Sequence, residues 1–272
     1  AATQAQQGPL LQALGAADVV SVSTARLGAA LAGQVRRWAL VPNCGLGEPL
    51  APRPPGPGEP TLLFVSSDRV PVSGVAPAVR AAQQAGRLAG VVAIGPVGED
   101  LAAAGVEVQR QPPMPPEAFG TWLRNLVRPL ALIPVGDTPF DACKSAIKFY
   151  DYALAGIPVL CANRPPYSDA VRHGVTGWCV EDNAAGWAAA LAQAMSSPEA
   201  LAEACRAAAQ EVLASHRLPH MAAAWQALLL ELGPRTAPAR RVGDPWRWWR
   251  ESVVMPLRQA NRARLARRDK PR

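Results

Sequence analysis

The chain has 272 residues, of which 49% are hydrophobic, 18% charged and 6% aromatic, a balance that excludes a disordered or fibrous chain. Its longest charge-free apolar stretch, residues 152–163, is broken by Gly156 and Pro158 and falls short of the roughly 18 uninterrupted apolar residues of a spanning helix. The net charge of +7 divides unevenly: residues 235–272 hold twelve Arg or Lys against three Asp or Glu and the rest sums to −2, so the body carries no field that draws nucleic acid.

The first 42 residues read as a helix, a strand over 18–22, a helix beginning after Ser23 or Thr24, and a strand over 38–41. They are too few to bury a core of their own, so they are expected to be the end of a preceding domain or an outer layer on the next one. Residues 43–60 contain six Pro and four Gly without an apolar period, which reads as a linker. Apolar runs over 61–65, 90–94, 106–108, 130–135, 158–161 and 178–180 then read as short strands. Between and after them, 75–87, 116–127, 146–155, 184–195, 198–213 and 220–232 carry helical patterns. Such alternation predicts an α/β fold, a doubly wound parallel sheet with helices on both faces. The expected organisation is 1–42, a linker over 43–60, a ligand-binding domain over 61–233 and a basic tail over 234–272.

Five cysteines (Cys44, Cys143, Cys161, Cys179, Cys205) are odd in number and never form a Cys-x-x-Cys pair. That excludes a zinc ribbon and a disulfide framework and suits a reducing, cytosolic setting. No charged, then apolar, then small-residue leader opens the sequence, so no secretory signal is expected. His216 and His220 stand four apart, but Pro219 intervenes and no Glu follows His216, which argues against a metalloprotease pair and leaves no metal site expected. The absence of Gly-x-Gly-x-x-Gly, of a Walker loop and of Gly-x-Ser-x-Gly lowers dehydrogenase, ATPase and hydrolase readings.

The chemistry concentrates between residues 130 and 161. Arg outnumbers Lys twenty-five to three, yet Lys144 and Lys148 lie within five residues of each other, and all three tyrosines (Tyr150, Tyr152, Tyr167) are nearby. The order is a strand over 130–135, a loop over 136–143, a helix over 144–155 stopped by Gly156, and a strand over 158–161. In such a βαβ unit the loop and helix N-terminus lie at the carboxyl edge of the sheet, where ligands bind and free N–H groups favour anions. Lys144, Lys148 and Asp151 are spaced to share one helix face, with Ser145 as an N-cap or phosphate donor. Two cations, a hydroxyl and a carboxylate suit a nucleoside diphosphate, cations for phosphates and carboxylate for ribose. A solvated face with a Lys148–Asp151 ion pair fits the same spacing.

Asp151-Tyr-Ala-Leu-Ala-Gly-Ile-Pro-Val159, then Pro166-Tyr167, then His173-Gly-Val-Thr-Gly-Trp-Cys-Val180 resembles the C-terminal, donor-binding domain of GT-B-fold glycosyltransferases of the group 1, family-four type. The stretch from Lys144 to Tyr152 resembles a subset of bacterial surface-polysaccharide transferases. Ala17-Asp18-Val-Val with Ser23, and Val41-Pro-Asn43, resembles the segment closing the N-terminal domain. The resemblance implies a Rossmann-like donor domain with a remnant of the acceptor domain. It further implies transfer of a sugar from a nucleotide sugar to a glycan or lipid-linked acceptor, with retention, without an obligatory metal or other cofactor, in the cytoplasm. Lys148 and Lys144 would stabilise the departing diphosphate, and Ser145, Asp151, Tyr167 and Arg69 would touch the donor, as would Arg164. Where the family commonly has a first Glu, this chain has Cys143, so Asp141 or Asp137 of the same loop is expected to take a sugar hydroxyl. The alternatives are a non-catalytic nucleotide or sugar-phosphate binding module and an interaction domain of a polysaccharide assembly. Pro245-Trp-Arg-Trp-Trp-Arg250 and the arginines after it suit either packing on the domain or peripheral contact with an anionic inner membrane face.

Overall fold

The computed structural model describes residues 2–45 and 58–233. The basic tail and most of the expected linker lie outside the described residues. Chain packing separates Ala1–Ala227 from Leu228–Arg272 as two compact units.

The chain begins with α1 (Ala2–Ala16), followed by β1 (Val20–Val22), α2 (Ala25–Leu31) and β2 (Trp38–Leu40). The two strands pair in parallel as a small sheet of their own. Thr24 caps α2, its Oγ1 accepting the Leu27 N–H at 3.1 Å. Gly28 lies against the Trp38 indole so closely that a Cβ there would overlap the ring, which lets helix and strand pack in so short a unit.

The main sheet has six parallel strands: β3 (Thr61–Val65), β4 (Gly90–Ile94), β5 (Gln109–Gln111), β6 (Pro129–Ile133), β7 (Val159–Ala162) and β8 (Trp178–Val180), in the order β5-β4-β3-β6-β7-β8. Every residue of β6 and β7 is buried, as expected of parallel strands covered on both faces, and this is why they read as unbroken apolar runs. The connections carry α3 (Val75–Gln84), α4 (Val97–Ala103), α5 (Pro116–Asn125), α6 (Pro139–Cys143), α7 (Ile147–Leu154) and α8 (Tyr167–Ala170). After β8 come α9 (Ala184–Ser196), α10 (Pro198–Ser215) and α11 (Leu218–Leu232). The core includes Phe64, Phe149, Tyr152 and a fully enclosed Trp187, whose Nε1 donates to Asp182 at 3.0 Å.

Two expectations are corrected, and two short helices were not expected. The strand expected over 106–108 is β5, three residues later and polar (Gln109, Arg110, Gln111). Val106 is buried just before it, but an edge strand pairs on one side only and carries polar residues outward. The helices α4 and α8, of seven and four residues, are too short to show a period. The loop expected over 136–143 holds a short helix, α6, started by Thr138 and Pro139, and the helix expected over 144–155 is α7, which begins only at Ile147 because the chain extends at Lys144 (ψ 163°). Gly156 stops α7 at φ 66°, as its position after the last apolar turn predicts. Among the described residues no helix is long and apolar enough to cross a membrane.

Strand order reverses between β3 and β6, since the chain runs outward through β4 and β5 and returns beside β3. The crevice outside their carboxyl ends is the position at which open α/β sheets take ligands.

Candidate functional site

The loop after β3, Ser66-Ser67-Asp68-Arg69, forms one wall of this crevice, and the segment after β6 forms the other. Thr138 caps α6: its Oγ1 accepts the Asp141 N–H at 3.1 Å and donates to the Asp141 carboxylate at 2.6 Å. That carboxylate lies over Gly136, where a Cβ would leave it no room. Lys144 ends α6, and its Nζ donates to Asp141 at 2.8 Å and to Asp68, on the opposite wall, at 3.0 Å. It also sits 4.6 Å from the centroid of the exposed Phe140 ring. Burial works against the charges of Lys144 and Asp141, but their mutual contact and those with Asp68 and Thr138 outweigh it. The Lys144 pKa is raised and that of Asp141 lowered.

Lys148 differs. It lies in the first turn of α7 and, among the described residues, has neither a hydrogen bond nor an ion pair. Desolvation, reinforced by the neighbouring Lys144 charge and only partly offset by Asp68, pulls its pKa down to about 8. The helix N-cap is Ala146, which supplies no side-chain acceptor, so the positive end of α7 opens toward the same region. A desolvated ammonium with no counter-ion among the described residues, beside a second lysine and an uncapped helix start, has the chemistry that suits an anion.

Against the α6–α7 turn lies the N-terminal β1-α2-β2 unit. Thr24 Oγ1 donates to the Cys143 carbonyl at 2.8 Å, Asn43 Nδ2 donates to Ser145 Oγ at 2.7 Å, and Arg26 pairs with Asp169 at 2.8 Å. These contacts border a cavity of about 300 Å³ lined by Thr24, Asn43, Lys144, Ser145, Tyr150 and His216 among others. The His216 ring stacks on Tyr150 at 4.2 Å and 11°. Its buried Nδ1 has no partner among the described residues, and burial lowers its pKa.

Of the residues expected at the site, the fold gathers Lys144, Lys148, Ser145 and Asp141 around the α6–α7 turn, with Asp151 one turn further along α7. Lys144 does not share the α7 face with Lys148 and Asp151, because the chain bends between them. Ser145 is not a cap; its hydroxyl receives Asn43. Arg69 is not brought in: its guanidinium is held by Asp100 and by Glu99 at 2.9 Å. Tyr167 is buried rather than exposed in the loop after β7, and its hydroxyl pKa is pushed up by that burial. Arg164 pairs with Asp137 at 2.7 Å and lies 3.7 Å from Asp182. Residues 175–177 form a structural turn, with Thr176 buried and its Oγ1 accepting the Arg172 N–H at 2.9 Å. Asp68, Phe140, Thr24, Asn43 and His216 were not legible as site residues. Asp68 adjoins Arg69 after the first strand of the domain, but nothing in the sequence pairs it with a lysine 76 residues away.

Residues 146–212 match the family model described as "Glycosyl transferases group 1", and this segment contains Lys148, Asp151 and all of α7 through most of α10. The fold is that of the GT-B glycosyltransferases. Sucrose-phosphate synthase from Thermosynechococcus elongatus superposes with a TM-score of 0.61 at 16% identity over 84% of this chain and 63% of that one. TarM of S. aureus, solved as a point mutant with fondaparinux, α-GlcNAc-glycerol and UDP, gives 0.62 at 14% identity over 82% of this chain and 46% of its own. HepE of Anabaena, in complex with UDP-glucose, gives 0.61 at 12% over 83% and 69%. The chain thus spans less than two thirds of the length of the first two. No curated protein matches its sequence. The crevice between β3 and β6 belongs to the six-stranded sheet, and the β1-α2-β2 unit packs against the α6–α7 turn beside it.

Proposed function

We propose that this chain is the donor-binding part of a glycosyltransferase that moves a sugar from a nucleotide-diphosphate sugar to a glycan or lipid-linked acceptor. The observation that carries this reading is the placement of Lys148 in the first turn of α7, beside Lys144 at the strand-order reversal of the sheet and with no counter-ion among the described residues, where desolvation draws its pKa down to about 8. A desolvated charge in a cleft marks a candidate functional site, and an anionic ligand would offset its cost. The group 1 family match over the same helix supports a nucleotide sugar as that ligand.

In this reading the bond between the anomeric carbon and the diphosphate breaks through an oxocarbenium-like centre, and negative charge grows on the departing phosphate. Lys148 supplies the preorganised cation, Lys144 a second one once it leaves its carboxylates, and the N-terminal end of α7 adds its dipole. Asp151 receives the ribose hydroxyls. Asp141 holds Lys144 and the start of α6 in place. We further infer retention at the anomeric carbon, no resident metal or cofactor, a role in cell-surface polysaccharide synthesis, and a cytoplasmic location with the basic tail against the inner membrane face. The resemblance in the sequence supports these finer points, together with the arginines and tryptophans of residues 245–268.

The test is a thermal-shift screen of the 272-residue chain against UDP, GDP, dTDP and ADP and the matching nucleotide sugars, since a ligand bound only to the native state raises the midpoint. One base is expected to stabilise selectively, and Lys148→Ala and Asp151→Ala to remove the shift while leaving the fold intact. A shift that survives both substitutions removes the site assignment.

A further inference from the structure

The two lysines of the crevice are held differently, and the difference turns on Asp68. Lys148 has no partner among the described residues, whereas Lys144 is shared between Asp141 on its own side and Asp68 across the crevice. The two carboxylates are themselves unlike. Asp141 is 15% exposed, accepts from Thr138 and is folded onto Gly136, so it is part of the α6 start. Asp68 is 54% exposed, sits on a loop, and among the described residues has Lys144 as its one side-chain partner, through one of its two oxygens. It is the movable member of the cluster. Of the other acids nearby, Asp137 is paired with Arg164, and Glu99 and Asp100 with Arg69.

Resting on the donor-site reading above, we propose that Asp68 discriminates between a nucleotide sugar and the bare nucleoside diphosphate left after transfer. A terminal phosphate that engages Lys144 competes for the N–H donors now given to Asp68 and displaces its carboxylate. A sugar on that phosphate offers the displaced carboxylate hydroxyl donors and keeps the phosphate at a single negative charge. A bare diphosphate offers no hydroxyl there and sets a more highly charged terminus against the same carboxylate. Asp68 therefore tolerates the donor. Once the sugar is gone, it returns to Lys144 and competes the diphosphate off. It is a specificity-determining residue that favours product release.

The experiment is calorimetric titration of the 272-residue chain, Asp68→Asn and Asp68→Ala with UDP, GDP, ADP and dTDP, and with UDP-glucose, GDP-mannose, ADP-glucose and dTDP-glucose, with Lys148→Ala as the reference for the site. Asp68 is half-exposed on a loop, so both variants are expected to keep the wild-type melting midpoint. Expected is a gain of about fivefold or more in affinity for the bare diphosphate of the preferred base, the scale of one partly exposed ion pair, with no gain for the matching nucleotide sugar. Equal gains for both ligands reduce Asp68 to a repulsive charge and overturn the proposal. So does an unchanged or weakened diphosphate affinity while Lys148→Ala still abolishes binding, an outcome that leaves the donor reading standing. Silence of the whole panel against wild type and both Asp68 variants overturns the donor reading and this proposal with it.

Discussion

Replacing Lys148 by Met is expected to make the unliganded protein more stable. Burial moves this lysine from the usual 10.5 to about 8, and at about 1.4 kcal/mol per pH unit the ceiling on its cost is roughly 3 kcal/mol. The side chain keeps partial contact with solvent, so about half of that, ~1.5 kcal/mol, is the expected gain at pH 7 after screening. In a domain of this size such a gain corresponds to a rise of about 3–6 °C in Tm. The pH dependence gives the sign. A basic group whose folded pKa is depressed destabilises fully below that folded value, and its cost fades as pH rises toward the unfolded value. The advantage of Lys148→Met is therefore complete below about pH 8 and gone by about pH 10.5. Urea denaturation of both proteins between pH 6.5 and 10.5 measures it. An anion bound beside Lys148 restores its proton, so titration of the preferred nucleoside diphosphate at pH 8.5 in buffers of different ionisation enthalpy is expected to show net proton uptake. A Lys148→Met protein that is less stable at pH 7, or a difference that does not depend on pH, would refute the desolvated-cation reasoning.

Gly95 adopts φ 88°, and a Cβ there would run into the Ser66 carbonyl at the base of the β3 loop. Gly95→Ala is thus expected to cost about 2–3 kcal/mol and to weaken nucleotide binding by shifting that loop, as read by denaturation and titration together; a neutral effect would show that the two strand ends are not so close. Trp187 is fully enclosed and bonded to Asp182, so Trp187→Ala is expected to lose about 3–5 kcal/mol, measured by the urea midpoint, and a loss under about 1 kcal/mol would contradict its place in the core. For the transferase reading, prolonged EDTA treatment followed by a donor-hydrolysis or transfer assay of the full-length enzyme is expected to leave the rate unchanged. A rate abolished by EDTA and restored by one divalent cation would require a metal that the present assignment does not contain.

The alternation of apolar runs with Ala-rich stretches determines the fold class by itself, because parallel strands buried on both faces must be apolar throughout, and residues 61–65, 90–94 and 178–180 coincide with β3, β4 and β8. Gly156 as a helix stop and Thr24 as one of two possible caps are equally local, since each rests on the conformation or hydrogen bond of a few consecutive residues. The rarity of Lys in an Arg-rich chain was enough to single out 144 and 148. What those lysines touch was decided only in three dimensions. Helical spacing placed Lys144 with Lys148 and Asp151, but Thr138 starts a separate short helix and turns Lys144 toward Asp141 and Asp68. Burial drew Tyr167 inward, and Glu99 with Asp100 drew Arg69 aside. Local sequence sets backbone preference and burial pattern over a turn or two, whereas the protonation and availability of a charged group depend on partners that only the closing of the sheet brings within a few ångströms.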